Sequence, residues 1–418
     1  MAITPSPQGT APTRLTSLDG LRGASAVVVV AYHALLVSPT AAAIVMGNLT
    51  PPKGTMWEAL FTSPLRLFFS GNEAVFIFFV LSGFVLTKQV QRRPAFDWAA
   101  YYPSRLVRLY LPAAASVALA LALELAFHRS RTGSPSIWVQ FYTYPTFDWK
   151  MPIQAIDLFS GIPDFNSPLW SLRWEILFSL LLPVFVLIAH RSVRFAWITV
   201  AAMPVLVWLG LEYTVMPLVY LPAFAIGVAL TVLLGDGSRS TPRRQGLVRN
   251  LAWLALTILS LAMLVAHWLT ARALLGLPEL QNVISSLVIL GAAGVVAIAA
   301  RWAPVIRLLS SAFPAWLGRI SFSLYLIHVP VLIACANLLH VLPWYLVVLI
   351  AVTSSFALAV VFMRLVESPS HRLAKLIASR VGAQIDRPTP VRATSISSMT
   401  TPPNREDPAV SVHAVEGV

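Results

Sequence analysis

The sequence predicts an all-α protein, a polytopic bundle of about ten transmembrane helices with both termini in the cytoplasm. Of its 418 residues, 57% are hydrophobic and only 11% are charged, and the mean hydropathy is +0.74. A typical water-soluble chain carries about a quarter charged residues, so this composition indicates a membrane protein. The apolar stretches are about 20 residues long, which is the length that a helix needs to cross a bilayer.

Ten apolar stretches follow one another along the chain. Their approximate bounds are 20–39, 71–90, 107–127, 169–189, 195–211, 214–234, 250–270, 281–300, 316–338 and 344–366. The first is expected to be a retained span and not a cleaved signal peptide, because Arg22 would interrupt the apolar core of such a peptide. We expect a disordered, proline-rich lead-in at 1–17, the transmembrane domain at 18–370, and a cytoplasmic, mostly disordered tail at 371–418.

Lysine and arginine are shared unevenly between the two sides that ten spans create. The side of the termini carries the arginine cluster between 239 and 249 and most other cations. The opposite connections carry only Lys53, Arg66, Arg129, Arg131, Lys150 and Arg272. Because cytoplasmic loops hold the excess of positive charge, both termini are predicted to be cytoplasmic and the aromatic connection 128–168 to face outward. The net charge of +13 then reflects topology and does not indicate nucleic-acid binding.

Missing sequence features disfavour several kinds of chemistry. The single cysteine, Cys335, excludes an intrachain disulfide framework and a multi-cysteine zinc site. The chain has no Gly-x-Ser-x-Gly elbow, no His-Glu-x-x-His helix, no Walker loop and no dinucleotide fingerprint. We therefore expect neither a triad hydrolase nor a metal site, and no tightly bound cofactor.

The first span carries an arginine and a histidine on one side of a single helix. Arg22 and His33 are eleven residues apart in LDGLRGASAVVVVAYHA, so they share a stripe and are separated by about 16 Å along the axis. Asp19 lies three residues before Arg22, on nearly the same side. Ionisable groups are costly in a bilayer and mark functional sites there. His33 suits a general base acting on a hydroxyl, although a histidine hydrogen-bonded between helices is the structural alternative.

Four arginines follow the second span on the predicted cytoplasmic side. Arg92 and Arg93 are adjacent, and Arg105 and Arg108 are spaced i, i+3 in PSRLVRLYLP at the start of the third span. One interpretation is ordinary positive-inside charge. The other is a phosphate site, because two guanidinium groups on one helix face can bind a pyrophosphate or a 3′-phosphate bidentately.

The fourth span opens with polar residues among tryptophans. Ser171 and Glu175 share a helix face, and Trp170 precedes them. Glu175 is expected one or two turns inside the outer surface. Since a carboxylate beside tryptophans suits a sugar, we expect Glu175 and the connection 128–168 to form a wall that faces an acceptor.

Three further groups interrupt apolar runs. Ser321, Tyr325 and His328 form a polar stripe at i, i+4 and i+7 along the ninth span. Ser82, beside a glycine in the second span, is more typical of close helix packing than of catalysis. The remaining intramembrane candidates lie near outer helix ends and are expected to be interfacial: His267 and His340.

A transporter or flippase that uses buried histidines as proton relays is the alternative to an enzyme. Such a protein is expected to have glycine- or proline-broken spans in matched halves and an inverted repeat. Neither feature is visible in the sequence, which favours an enzyme.

Five motifs, in order, resemble the membrane-bound acyltransferase 3 family, the bacterial O-acyltransferases of surface polysaccharides and related glycans. They are LDGLRG with His33, then FFVLSGF, RLVRLYLP, SPLWSLRWEILF and LGRISFSLYLIH, between about residues 15 and 370. The resemblance implies a multi-pass protein of the cell inner membrane, surrounded by lipid. It also implies an acyl-CoA donor, usually acetyl-CoA, that enters from the cytoplasm, and O-acetylation of a glycan, glycolipid or other hydroxyl acceptor.

The resemblance also implies roles for individual residues. His33 matches the catalytic histidine, which would either deprotonate the acceptor hydroxyl or relay the acyl group through itself. Glu175 matches the glutamate of the fourth-span motif and is the second residue expected to act in catalysis. Donor binding is expected from Arg22, from the Arg-x-x-Arg pair Arg105 and Arg108, and from Arg92 and Arg93. Supporting roles are expected for Asp19, Ser82, Trp170, Ser171, Ser321, Tyr325 and His328. The chain departs from the family pattern at Phe322 and at Phe178-Ser179, where tyrosine is common.

Overall fold

The computed structural model describes residues 16–385 except 48, 94, 128–133, 143–146, 160–164, 190–191, 236–245, 272 and 275. The side chains of 188, 189 and 382–385 are not described. Every regular element in this part of the chain is helical. The all-α prediction is therefore confirmed.

The helices are labelled in chain order. The first half contains α1 (Thr16–Leu35), α2 (Pro39–Met46), α3 (Met56–Thr62), α4 (Gly71–Gln91), α5 (Trp98–Phe127), α6 (Ile137–Phe141), α7 (Lys150–Ile156) and α8 (Trp170–Ala189). The second half contains α9 (Val193–Glu212), α10 (Met216–Leu234), α11 (Leu247–Thr270), α12 (Pro278–Ser286), α13 (Val288–Arg301), α14 (Ala303–Leu309), α15 (Ala312–Leu338), α16 (Trp344–Phe362) and α17 (Ser368–Ile385). Two 3₁₀ turns (Pro64–Phe69 and Ser167–Leu169) precede α4 and α8, and a π-helical turn (Met363–Glu367) joins α16 to α17.

Nine segments of the described chain are long and apolar enough to cross a membrane, and the number becomes ten if α1 and α2 form one broken span. The predicted number of about ten spans is therefore confirmed. The first helix ends at Leu35, four residues before the predicted end of the first span, because the chain bends by 103° between α1 and α2. Ser38 caps the second helix and Pro39 occupies its first turn, so the helix cannot continue straight through this point.

Two predicted boundaries are wrong by about two turns or more. α5 begins at Trp98, nine residues before the predicted start of the third span, because Asp97 accepts a hydrogen bond from the amide of Ala100 and starts the helix early. Residues 371–385 belong to α17, which packs against α5, and are not disordered as predicted. At the other end, residues 16–17 already belong to α1. The predicted disorder of 1–15 and 386–418 lies outside the described residues.

Glycine lets the first helix approach the most buried span, α15. A methyl group on Gly23 would lie 2.5 Å from the backbone nitrogen of Gly318, which is too close for any side chain to fit. The small residues of α1 therefore allow the two backbones to touch, as they do in membrane helix pairs generally. A similar close approach at a glycine joins α4 to α10, where a methyl group on Gly83 would lie 2.2 Å from the carbonyl oxygen of Phe224.

Candidate active site

Two histidines that are 295 positions apart in the chain meet inside the bundle. Nε2 of His328 lies 3.1 Å from Nδ1 of His33, and the two ring centroids are 5.0 Å apart. His328 is fully buried, whereas His33 is half-buried. The close packing of α1 on α15 turns the histidine stripe of each helix towards the other. The sequence identified both residues, and the structure joins them.

Hydrogen bonds determine which nitrogen atoms of the pair carry protons. Nδ1 of His328 lies 2.8 Å from the carbonyl oxygen of Tyr325 and 3.1 Å from that of Leu324, so this nitrogen must be the N–H donor. In the neutral ring, Nε2 of His328 is then an acceptor, and Nδ1 of His33 donates to it. The same Nδ1 lies 3.1 Å from the carbonyl oxygen of Val29, as a donor should. Nε2 of His33 therefore holds the free lone pair, and no hydrogen bond joins it to any described residue.

The connection between α5 and α8 reaches the same histidine. The ring of Trp138, on α6, lies 5.8 Å from that of His33. Ser136 donates a 2.6 Å hydrogen bond to the carbonyl oxygen of Leu36, which fixes this connection against the end of α1. The part of 128–168 that the structure describes thus borders the His33 end of the candidate site.

An ion pair links α5 to α8. Nη2 of Arg105 lies 2.6 Å from Oε1 of Glu175, and Nε of Arg105 donates to Oγ of Ser179 at 3.2 Å. Ser82 donates to the same carboxylate oxygen at 3.4 Å. Four side chains from three helices therefore form one polar network.

This network differs from the expected positions of Arg105 and Glu175. The sequence placed the arginine at one membrane surface and the glutamate near the other, in the wall that faces an acceptor. Because α5 starts at Trp98, Arg105 lies about 10 Å along the helix. Glu175 is five residues into α8, which runs the opposite way. The structure therefore groups Glu175 with the arginines and not with the described part of the connection 128–168.

Two more arginines complete this charged group. Arg22 lies within electrostatic range of Glu175, Arg105 and Glu367, and Arg108 lies within range of the same three side chains and of Arg22. Neither Arg22 nor Arg108 forms a hydrogen bond or an ion pair with a described residue, and Nε of Arg108 is buried without a partner. Three cations thus face three carboxylates, since Asp19 also lies within electrostatic range of Arg22, and two guanidinium groups form no hydrogen bond with a described residue. This arrangement can bind an anion.

Sequence reasoning missed Glu367 as a member of this group. Glu367 ends the π-helical turn and accepts a hydrogen bond from Ser323 of α15. It is largely buried. A carboxylate at the end of the last apolar run was the available signal, and π-turns often occur at functional sites.

The remaining span-four and span-nine candidates have structural contacts. The hydroxyl of Tyr325 lies 2.8 Å from Oγ of Ser171. Ser171 also donates to the carbonyl oxygen of Pro168, so Tyr325 is the donor in the first contact. Ser321 donates to its own helix at Gly318. The bond between Tyr325 and Ser171 joins α8 to α15 next to the histidine pair, whereas the other two are local to their own segments.

Four other predicted residues lie at the edges of the site or away from it. Asp19 is within electrostatic range of Arg22. Trp170 packs against aromatic rings of α4 and α10. Arg92 and Arg93 are exposed at the end of α4, and no described contact joins them to Arg22, Arg105 or Arg108. In the described part of the chain, no three histidine, cysteine or acidic side chains come together as metal ligands.

Comparison with known families identifies the chain at this point. A family model described as an acyltransferase domain matches residues 15–364. The chain belongs to the acyltransferase 3 family. The match includes the histidine pair and the three partly buried arginines, and it ends three residues before Glu367. Searches of curated proteins and of solved structures found no match. The protein is thus a multi-pass membrane acyltransferase of the acyltransferase 3 family.

Proposed function

We propose that this membrane acyltransferase is an O-acyltransferase that moves an acyl group, acetyl in the simplest case, from acyl-CoA to a hydroxyl group of a sugar or glycan acceptor. The observation that carries this proposal is the histidine pair, because it leaves Nε2 of His33 as a free base inside the bundle. A hydroxyl acceptor needs such a base. The family resemblance supplies the choice of donor and of acceptor class.

The donor is proposed to bind through its phosphates to Arg22 and Arg108. No described residue forms a hydrogen bond with either guanidinium group, and Nε of Arg108 is buried without a partner. Guanidinium binds phosphate bidentately. Arg105 is already paired with Glu175, so its role is to hold the carboxylate and to add positive charge. Arg22 and His33 lie on one stripe of α1 about 16 Å apart, a separation that the pantetheine arm of acyl-CoA can bridge.

The reaction follows from the free nitrogen of His33. Nε2 takes the proton of the acceptor hydroxyl as its oxygen attacks the thioester carbonyl carbon. The carbon–sulfur bond then breaks, the acyl group remains on the acceptor oxygen as an ester, and the CoA thiolate leaves. The proton on Nε2 neutralises the thiolate, which restores the neutral pair. His328 accepts a hydrogen bond from the other nitrogen of His33 throughout and stabilises the transient imidazolium.

The acceptor is proposed to approach His33 from the side of Trp138. An indole ring next to the base offers a surface on which a sugar can stack. The donor site lies on the opposite side of His33, towards the N-terminal end of α1. In this proposal the protein lies in the inner membrane and both termini are cytoplasmic. Acyl-CoA then reaches the arginines from the cytoplasm, and the acceptor reaches His33 from the membrane or from the outside.

The test is acetyl transfer from radiolabelled acetyl-CoA to material extracted from membranes that contain the protein. We expect His33→Ala to lower transfer at least about 100-fold, because general base catalysis contributes that much or more. His340→Ala is the matched control, since His340 is exposed and bonds only to Asn337. Transfer by His33→Ala at the rate of the control would refute the catalytic assignment. Thermal stabilisation of purified protein by CoA tests the donor site separately, and its absence would favour a transporter.

A further inference from the structure

A second charged group lies at the other end of α1 and has no part in the mechanism proposed above. Arg66, on the 3₁₀ turn before α4, is only 1% exposed. All three nitrogen atoms of its guanidinium group are buried without a hydrogen-bond partner. Buried arginines are normally paired, since the group has five N–H donors and leaving them unused in an apolar setting costs several kcal/mol. Arg66 therefore needs an explanation.

Aromatic rings surround this guanidinium group but do not satisfy its donors. Its central carbon lies 4.1 Å from the ring centroid of Trp268, 5.0 Å from that of Phe61 and 5.8 Å from that of Tyr32. These cation–π contacts stabilise the charge through its faces, whereas the N–H bonds point outward from its edges. Burial lowers the pKa of Arg66, yet arginine stays protonated in proteins. A full positive charge with free donors remains.

The nearest carboxylate is engaged by other groups. Oε1 of Glu73 accepts a 2.9 Å hydrogen bond from Nε1 of Trp268 and lies 3.4 Å from Nε2 of His267. Arg66 is within electrostatic range of Glu73 but forms no ion pair with it. Nδ1 of His267 is also buried without a partner. Glu73 thus holds Trp268 and His267 in place, while the N–H donors of Arg66 remain available to bind another group.

A single tyrosine separates this group from the proposed base. Tyr32 contacts both residues: its ring centroid lies 5.8 Å from the guanidinium carbon of Arg66 and 5.1 Å from the ring centroid of His33. One acceptor molecule with its hydroxyl group at His33 can therefore extend to Arg66. The arginine lies on a 3₁₀ turn between α3 and α4, outside the candidate spans, and its neighbour Phe68 is largely exposed. Access requires movement of this short surface element and not of a transmembrane helix.

We propose that Arg66, with His267 beside it, is an oxyanion subsite that receives a carboxylate or phosphate group. Its position next to His33 makes an anionic group of the acyl acceptor the first candidate, and this part of the inference rests on the proposed function. A lipid headgroup phosphate has the same chemistry and could reach the same turn. The experiment below distinguishes an anionic acceptor from a lipid headgroup.

The test measures the melting temperature of the purified, delipidated full-length protein in detergent. Methyl glucuronide is compared with methyl glucoside, which is the same sugar without the carboxylate. We expect the glucuronide to raise the melting temperature of the wild-type protein by roughly 2 °C or more near saturation, and the glucoside to have no effect. Arg66→Met should lose the shift, whereas Arg194→Met, at an exposed site on α9, should keep it. A second arm adds phosphatidylglycerol, and a shift in that arm alone, lost in Arg66→Met, would identify lipid as the source.

A further variant protects the test against misfolding. Arg66→Met leaves Glu73 less compensated, so we also use Arg66→Met/Glu73→Gln, which removes both charges. Glu73→Gln alone should keep the glucuronide shift. An equal shift in wild type and in the double variant, or no shift with either anion, would overturn the subsite. Because the assay measures binding and not catalysis, His33→Ala should keep the shift. The result can therefore be interpreted even if the acyl-transfer proposal fails.

Discussion

At the scale of single residues, a neutral histidine takes the position that a carboxylate holds in many catalytic triads. In an apolar interior, a buried carboxylate next to the base would carry a large desolvation cost. His328 avoids this cost because its ring is neutral, and the backbone carbonyls of Tyr325 and Leu324 fix its tautomer. His33 is thereby held with Nε2 free. His328 is a positioning residue in this scheme.

Replacing the partner should therefore slow chemistry without weakening donor binding. We expect His328→Phe to lower kcat about 10- to 100-fold and to leave KM for acetyl-CoA within about twofold, because only the transition state gains charge on His33. Steady-state acetyl transfer in membranes measures both constants. A variant with unchanged kcat, or one in which only KM rises, would contradict the positioning role. The melting temperature of the purified variant controls for unfolding.

Replacing the unpaired arginines should weaken donor binding, whereas replacing His328 should slow the chemical step. Arg22→Gln and Arg108→Gln should each weaken CoA binding about 10- to 100-fold, since each removes a charge-assisted hydrogen bond worth about 1.5–3 kcal/mol. Equilibrium titration of purified protein with CoA gives the dissociation constants. Arg307→Gln is the matched control, because Arg307 is exposed and donates only to its own helix. Affinities equal to that of the control would remove the arginines from the donor site.

At the scale of secondary-structure elements, the contact between α1 and α15 sets the distance between the two histidines. The close approach at Gly23 and Gly318 lies ten residues before each histidine, near the same end of both helices. A side chain added there must push the helices apart. Because His33 and His328 are 3.1 Å apart, a shift of one ångström along the bundle would break their hydrogen bond.

Gly23→Ala should consequently reduce both stability and activity. A methyl group would lie 2.5 Å from the nitrogen of Gly318, and overpacking of this kind costs about 1–3 kcal/mol. We expect a lower melting temperature and a loss of acetyl transfer larger than the loss of folded protein. Gly246→Ala is the control, since nothing lies within 4 Å of the added methyl group. If Gly23→Ala matched this control in both measurements, the close contact would not govern the site.

At the scale of the whole molecule, the two charged groups lie at opposite ends of α1. The arginines around Glu175 lie near its N-terminal half, and Arg66 lies near its C-terminal end beside Tyr32. The positive-inside pattern predicts that the first group is reached from the cytoplasm and the second from the outside. A donor and an acceptor would then enter from different compartments and meet at His33.

Cysteine labelling tests this orientation. In a Cys335→Ser background, Thr55→Cys is expected to react with a membrane-impermeant maleimide on intact spheroplasts, because residue 55 is exposed and lies in a predicted outer connection. Ser379→Cys, exposed on α17, should react only after the membrane is permeabilised. The reverse pattern would invert the topology, and labelling of both on intact spheroplasts would exclude a cytoplasmic C-terminal helix.

The sequence by itself determined the number of spans and their approximate positions, and it selected most of the residues of the candidate site. These properties are local: a run of about 20 apolar residues specifies a span, and a histidine or arginine within such a run is conspicuous because lipid makes it costly. Helix ends were harder to predict from the sequence, since Asp97 caps α5 early and Pro39 redirects the chain after α1. Those signals compete with hydropathy over only a few residues.

Only the tertiary structure decided which residues meet. His33 and His328 could each be selected from the sequence, but their contact depends on glycines that let α1 and α15 touch. Arg105 and Glu175 were expected on opposite sides and form an ion pair, because their helices run in opposite directions and overlap in depth. In the sequence, Arg66 is one of several cations in the predicted outer connections. Only the structure shows that it is buried among three aromatic rings. Contacts between distant segments arise from packing, and packing is a property of the whole bundle that no single stretch encodes.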